Sequence, residues 1–295
     1  MLVLRLVIVT QCLGVIGCYL FSSYETESDI YGWLFFDQRL PEALAQTVDN
    51  AGNWVMLLAA VALFVGGIVG KFAHQPARTF QAIDFLAAIA IAVWMLSVAV
   101  THTLRTSTYP ELVLAEQAVR YAAPAALAWI AFHQYHHARP MDASDPVLTR
   151  ALWFLIIAAA STFAAHGYKA IEGYGPFVDL ILLSDDQWTE WGIRQAGANG
   201  LLLVIGIADL MVAGLLLLFR WRVAAFYMTV WGLITASSRV TALGMEAWPE
   251  TVMRIANGGV PLAILIAWPH FNSVKAARSH SQSPTSEPTL SHEHA

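Results

Sequence analysis

Eight stretches of this 295-residue chain, roughly 2–22, 53–72, 82–104, 114–137, 148–168, 199–219, 222–244 and 250–270, are long and almost wholly apolar. A helix crossing a hydrocarbon core ~30 Å thick needs about 20 such residues. Lipid offers a backbone no hydrogen-bond partner, so continuous apolar runs of this length must satisfy their own N–H and C=O groups as helices. The expected fold is therefore all-α and polytopic, with eight transmembrane helices. Composition agrees: 57% of residues are hydrophobic, 13% are charged and mean hydropathy is +0.56, whereas soluble domains carry about 25% charge.

The charges that remain assign an orientation. The short connections HQPAR (74–78), HHARPMDASDPVLTR (136–150) and RWR (220–222), with Lys275 and Arg278 beyond the last span, are basic, and they alternate with acidic loops. The positive-inside rule then puts both termini in the cytoplasm of a cell whose cytoplasmic (inner) membrane holds the chain. The long acidic loops, 25–50 and 172–194, fall outside. They contain amphipathic stretches with Trp and Phe, which predict short interfacial helices capping whatever lies between the spans. The tail 273–295 is polar, rich in Ser and Pro, and expected to be disordered. Net charge is −5 with no basic tract, so the expected environment is the bilayer and nucleic acid is not an expected partner. Cys12 and Cys18 match neither a redox pair nor a zinc spacing. VIGC at 15–18 loosely matches a lipoprotein cleavage box, but the repeat described next requires the first helix to stay attached.

The chain reads as two four-helix units, 1–140 and 141–272. Each has the order span, long acidic loop, span, basic turn, span, short loop, span. Trp94 and His102 have the same spacing as Trp231 and Arg239, and ELVLAEQAVRYAAPAALAWI (111–130) parallels EAWPETVMRIANGGVPLAILI (246–266), so Glu116 and Arg120 correspond to Glu250 and Arg254. Four crossings per unit make this a parallel repeat, giving two four-helix bundles. The units differ in polarity. Where the second has His166, Lys169 and Asp209, the first has YETE (24–27) and the uninterrupted run VMLLAAVALFVGGIVG (55–70).

Function, if one unit carries it, is therefore expected in the second. Ionisable groups inside a membrane cost at least ~2.5 kcal/mol each on insertion scales, so chains that keep several tend to use them. His166 and Lys169 are three apart on one helix face, Glu250 and Arg254 four apart, with Asn257 a turn deeper. Arg239 lies near the outer end of its span and is expected to reach down to Asp209, beneath the others near mid-membrane. The ligand-binding candidates are thus His166, Lys169, Asp209, Arg239, Glu250 and Arg254. Two readings stay open: an ion-pair network that docks helices, or a ligand pocket, with a proton relay through Asp209 and His166 as its variant. Gly167 would let a ring or helix approach closely. HQYHH, holding His133, His136 and His137, has the form of one di-iron box, but no second box occurs and no metal site is expected. No cofactor motif and no catalytic residue can be named.

FAAHGYKAIEGYG (163–175), followed by IADLMVAGLLLLFRWRVAAFYMTVWGLITASSRV (207–240), resembles the DoxX/DoxD-like family of four-span membrane proteins. The resemblance rests on His166, Gly167 and Lys169 as an HGxxK motif, Asp209 where the family more often has Glu, Gly214, and the basic turn Arg220–Arg222. It covers 148–270, and the first half only by topology. It implies a four-helix bundle and, from the best-known members, a subunit of a thiosulfate:quinone oxidoreductase or a companion of membrane redox complexes. Fusion of two units, the first without HGxxK, departs from the family pattern. The leading expectation is a redox-associated inner-membrane subunit that binds a quinone or other lipid-like ligand, with electrons coming from a redox partner protein or a substrate. Its rivals are a non-catalytic scaffold or assembly factor engaging a partner through its loops, and a small-molecule transporter.

Overall fold

The computed structural model describes residues 1–21, 28–72, 78–137 and 145–269. Among these residues every regular element is helical. The twelve α-helices are α1 (Leu2–Phe21), α2 (Asp29–Gly32), α3 (Glu42–Phe72), α4 (Arg78–Arg105), α5 (Pro110–Glu116), α6 (Ala118–His137), α7 (Pro146–Ile171), α8 (Gly175–Ser184), α9 (Gln195–Phe219), α10 (Arg222–Leu243), α11 (Trp248–Met253) and α12 (Ala256–Ala267). The YETE segment and the tail 273–295 lie outside the described residues.

Of the eight expected spans, five are single helices both long and apolar enough to cross a membrane: α1, α3, α4, α7 and α9. A sixth is formed jointly by Met245–Met253 and α12, bent by 44°. α6 and α10 have the length, at 20 and 22 residues, but fall short in hydropathy. The cause is polar residues within them: Arg120, His133 and Gln134 in α6, and Thr229, Ser238 and Arg239 in α10. The apolar helices mark a lipid bilayer as the surroundings. α3 and α9 turn rows of large apolar side chains outward, among them Leu58, Phe64 and Val65 on α3 and Val204, Met211 and Leu218 on α9, as helices facing lipid must.

Two boundaries differ from the sequence expectation. α3 begins at Glu42, not 53, because Pro41 supplies a helix start, its carbonyl accepting from the N–H groups of Leu44 and Ala45. Ala45, Asp49 and Asn53 then repeat every four residues as a buried face. The segments expected as continuous spans at 114–137 and 250–270 are broken, after Glu116 and after Met253. At the first break Thr162 of α7 supplies the missing bonds: its hydroxyl accepts from Val119 N–H at 3.3 Å and donates to Ala115 C=O at 3.1 Å. A buried side chain thus completes what the helix cannot.

α1 packs on α11 and α12, and α7 on α5 and α6, so the first helix of each sequence half lies against the last segment of the other. α4 lies on α6 as α10 lies on α12, and α3 on α1 as α9 on α7. One hydrophobic core runs through both halves, including Ile8 and Cys12 of α1, Leu127 of α6, Ile156 of α7 and Val260 of α12. At the end of the bundle with the short connections, Arg5 of α1 forms a two-pronged ion pair with Asp84 of α4, Nη1 to Oδ1 at 2.7 Å and Nη2 to Oδ2. Both long connections emerge at the opposite end. Each contains a short helix followed by a π turn, α2 with Trp33–Asp37 and α8 with Asp185–Thr189.

Candidate functional site

At the long-loop end a cavity of about 1270 Å³ lies between the two sequence halves. His166, Asp209, Arg239, Glu250 and Arg254 line it; Lys169 does not. Lys169 is buried beneath the wall, where its Nζ donates to Glu116 Oε2 at 2.5 Å and sits 4.9 Å from the Tyr174 ring. His166 Nδ1 bonds the Thr162 carbonyl at 2.8 Å, one turn back, leaving Nε2 facing Glu116 Oε1 at 3.5 Å. The two ionisable members of the HGxxK motif, His166 and Lys169, therefore meet the same carboxylate, Glu116, from the other half of the chain. The loop helix α8 closes over them, with Phe177 stacked on His166 at 5.9 Å between ring centres.

Gly167 is where α7 and α9 touch backbone to backbone. A methyl group placed there would lie 2.8 Å from Gly206 O and 3.0 Å from Asp209 Cβ, and one on Gly206 would lie 2.5 Å from Gly167 O. This crossing puts Asp209 beside the residue that follows His166, so it is at the level of the motif rather than a layer beneath. The expected Asp209–Arg239 pair is not made. Arg239 Nε instead faces Glu250 Oε2 at 3.6 Å, and Arg254 Nη1 bonds the same oxygen at 3.1 Å. Asp209 is held on the α7 side by the glycine crossing, while Arg239 lies in the last two turns of α10, beside Glu250 of α11.

Asp209 is 4% exposed, and its Oδ1 has no hydrogen-bond partner among the described residues; Trp231 is its polar neighbour. The indole N–H of Trp94, the Oδ1 of Asn257 and the Nε of Arg120 also line the cavity buried and without partners, and the Trp231 indole N–H faces Asp209 without a full hydrogen bond. A buried polar atom without a partner costs about 1–3 kcal/mol. Such atoms concentrated around one cavity are what a site looks like before its ligand supplies the missing bonds. The walls are apolar as well, through Val15, Phe163, Leu202 and Ile205, so the cavity accommodates a molecule with a polar and an apolar part.

Sequence reasoning missed Glu116 and Arg120 as site residues. Their correspondence to Glu250 and Arg254 was the available signal. Outside the cavity, His133 Nε2 lies 3.3 Å from Asp145 Oδ2, and His137 bonds the His133 carbonyl. The first of these contacts ties the end of α6 to the N-cap of α7, and the second lies within α6. Among the described residues, no three His, Cys, Asp or Glu side chains are grouped so as to hold a metal ion. No family model matches the chain, and no curated protein or solved structure matches it.

Proposed function

We propose that this is an integral membrane protein of eight spans in two parallel repeats, with both termini cytoplasmic, that binds a lipid-like amphiphile in the cavity between its halves at the outer leaflet. The observation that carries the reading is the set of buried, unpartnered donors and acceptors, Trp94, Arg120, Asp209, Trp231 and Asn257, around one partly apolar cavity. The resemblance to DoxX-like proteins adds a quinone as the first ligand to try and redox-associated work as the setting. In that role the chain contributes binding and orientation: the indole N–H groups would meet a carbonyl oxygen, His166, whose Nδ1–H is spent on the Thr162 carbonyl, would offer Nε2 as an acceptor to a hydroxyl of the reduced ring, and α8 would exclude water. Electrons would pass to or from a partner protein.

The test is quinone binding to the purified chain, read by quenching of tryptophan fluorescence. Wild type is expected to bind a short-tailed ubiquinone and its quinol saturably, and His166→Ala to bind the quinol about tenfold more weakly, the loss of the hydrogen bond that Nε2 accepts from a ring hydroxyl in a low-dielectric site. Equal quinol affinity in both proteins would remove His166 from the site. A scaffold role is favoured by one observation, the exposed Trp188, Trp191 and Met245 at the long-loop end. Loss of a copurifying protein on trimming 172–198, with His166→Ala unaffected, would select it.

A further inference from the structure

Six carboxylates line the cavity, but Asp29 is held by His102 and Arg105, Asp49 stands beside Ser28, Asp185 is bonded within its own loop and Asp209 stands beside Trp231. That leaves Glu116 and Glu250 to answer three arginines, more local positive charge than a neutral amphiphile needs. Arg120 comes from α6, Arg239 from α10 and Arg254 from the break between α11 and α12, and all three line the cavity. The strongest electrostatic neighbours of Arg120 are Arg254, Glu116 and Arg239, with the Cys18 thiol; those of Arg239 are Arg254, Glu250 and Glu116, with the Tyr174 hydroxyl. Glu116 is taken by Lys169, and Glu250 is shared by Arg239 and Arg254. Arg120 has no ion pair among the described residues, and its Nε is buried without a partner. Asp209 stands apart from the arginines, on the Trp231 side. Like-charged guanidiniums converge in a low-dielectric cavity only at a cost that an anion removes.

Two further features act in the same direction. Arg120 lies in the first turn of α6 and Arg254 in the gap just before α12 starts, with Gln117 and Asn257 lining the cavity. The positive ends of both helices therefore add to the field of the arginines. Guanidinium is also the side chain whose planar fork matches a tetrahedral oxyanion.

Resting on the amphiphile reading above, we infer that Arg120, Arg239 and Arg254 form a binding site for a phosphoryl oxyanion, the head group of a phospholipid-like molecule whose apolar part lies along the cavity wall. The site draws its cations from both halves of the chain, so neither half holds it alone. Glu250 holds Arg239 and Arg254 in place, while Glu116 is held by Lys169 and leaves Arg120 for the anion.

The full chain, purified in a neutral detergent, is titrated with dihexanoyl phosphatidic acid, with dihexanoylglycerol, with inorganic phosphate alone and with a short-tailed ubiquinone. Tryptophan fluorescence is the readout. The phosphorylated lipid should bind about 10- to 100-fold more tightly than the same lipid without phosphate, the range for a charge-assisted bond in a buried site. Arg120→Met should erase that difference by weakening the phosphorylated lipid far more than dihexanoylglycerol, while Arg120→Lys should keep part of it. Because the lipid comparison is made on wild type, it holds even if a variant fails to fold. Equal binding of the two lipids overturns the inference, and a ubiquinone that binds in the same experiment shows that the amphiphile reading survives it. Binding of none of the four overturns both. Inorganic phosphate binding as tightly as the lipid keeps the arginine site but overturns the lipid as its source.

Discussion

At the residue scale, the glycine of the HGxxK motif has a plainer role than its neighbours. Gly167 and Gly206 let two helix backbones meet, and the meeting fixes where His166 and Asp209 stand. Gly167→Ala should destabilise the protein by about 1–3 kcal/mol, the usual cost of forcing an extra carbon into a packed interior. Gly214, on the same helix α9, has open space where its side chain would be. Gly214→Ala should be neutral or slightly stabilising, since it only removes glycine's helix penalty. Unfolding by graded detergent denaturation compares the two, and similar losses would disprove the crossing as the reason for Gly167. Hydropathy cannot distinguish these glycines, because what differs is the neighbour each one faces. The same applies to Lys169 and Arg239: the sequence shows that a buried cation needs a carboxylate, and only packing between the halves selects Glu116 and Glu250.

At the element scale, the connection between α8 and α9 is held by one side chain. Asp185 is buried, and it accepts from the Thr189 hydroxyl, from Ile193 N–H at 2.7 Å and from Trp191 N–H at 3.0 Å. The Thr189 hydroxyl first, and then the N–H groups of Ile193, Trp191 and Gly192, hold its carboxyl below the ordinary aspartate value, against the opposing effect of burial. A carboxyl depressed on folding stabilises the fold above its unfolded value and loses that contribution as pH falls toward the folded one. Amide exchange at Trp191 and Ile193, corrected for intrinsic rates, should therefore stay protected at neutral pH and lose protection only below about pH 4. Protection lost already at pH 6 would contradict this. The broken helices were the least legible elements. A hydropathy window averages across Gln117 and Arg254, whereas the chain stops its helix there because Thr162, or a bend before α12, satisfies the backbone in another way.

At the scale of the whole molecule, the all-helical fold and the positions of α1, α4, α7 and α9 were legible because long apolar runs allow little else. The cavity was not, since it lies between segments far apart in sequence and is lined by residues of both halves. This arrangement has a measurable result. Chains 1–140 and 141–295, expressed together, should copurify through α1 with α11 and α12, and α7 with α5 and α6. Expressed alone, 141–295 should be unstable because Lys169 is buried without Glu116, a loss of about 3–5 kcal/mol for a buried pair broken on one side. A stable, monodisperse 141–295 would refute the dependence.

The Arg5–Asp84 pair, at the end remote from the cavity, bears on what such a molecule can do over time. A carrier that alternately opens to both sides of a membrane must separate its helices at each end in turn. Here one end is clasped by a two-pronged pair, with Asp84 buried, between the first helix and the fourth. Each cycle would have to part that clasp and reform it, so traffic in and out through the loop-covered mouth alone is the cheaper course. On the binding role proposed above, such a clasp suits a receptacle, filled and emptied from the same side.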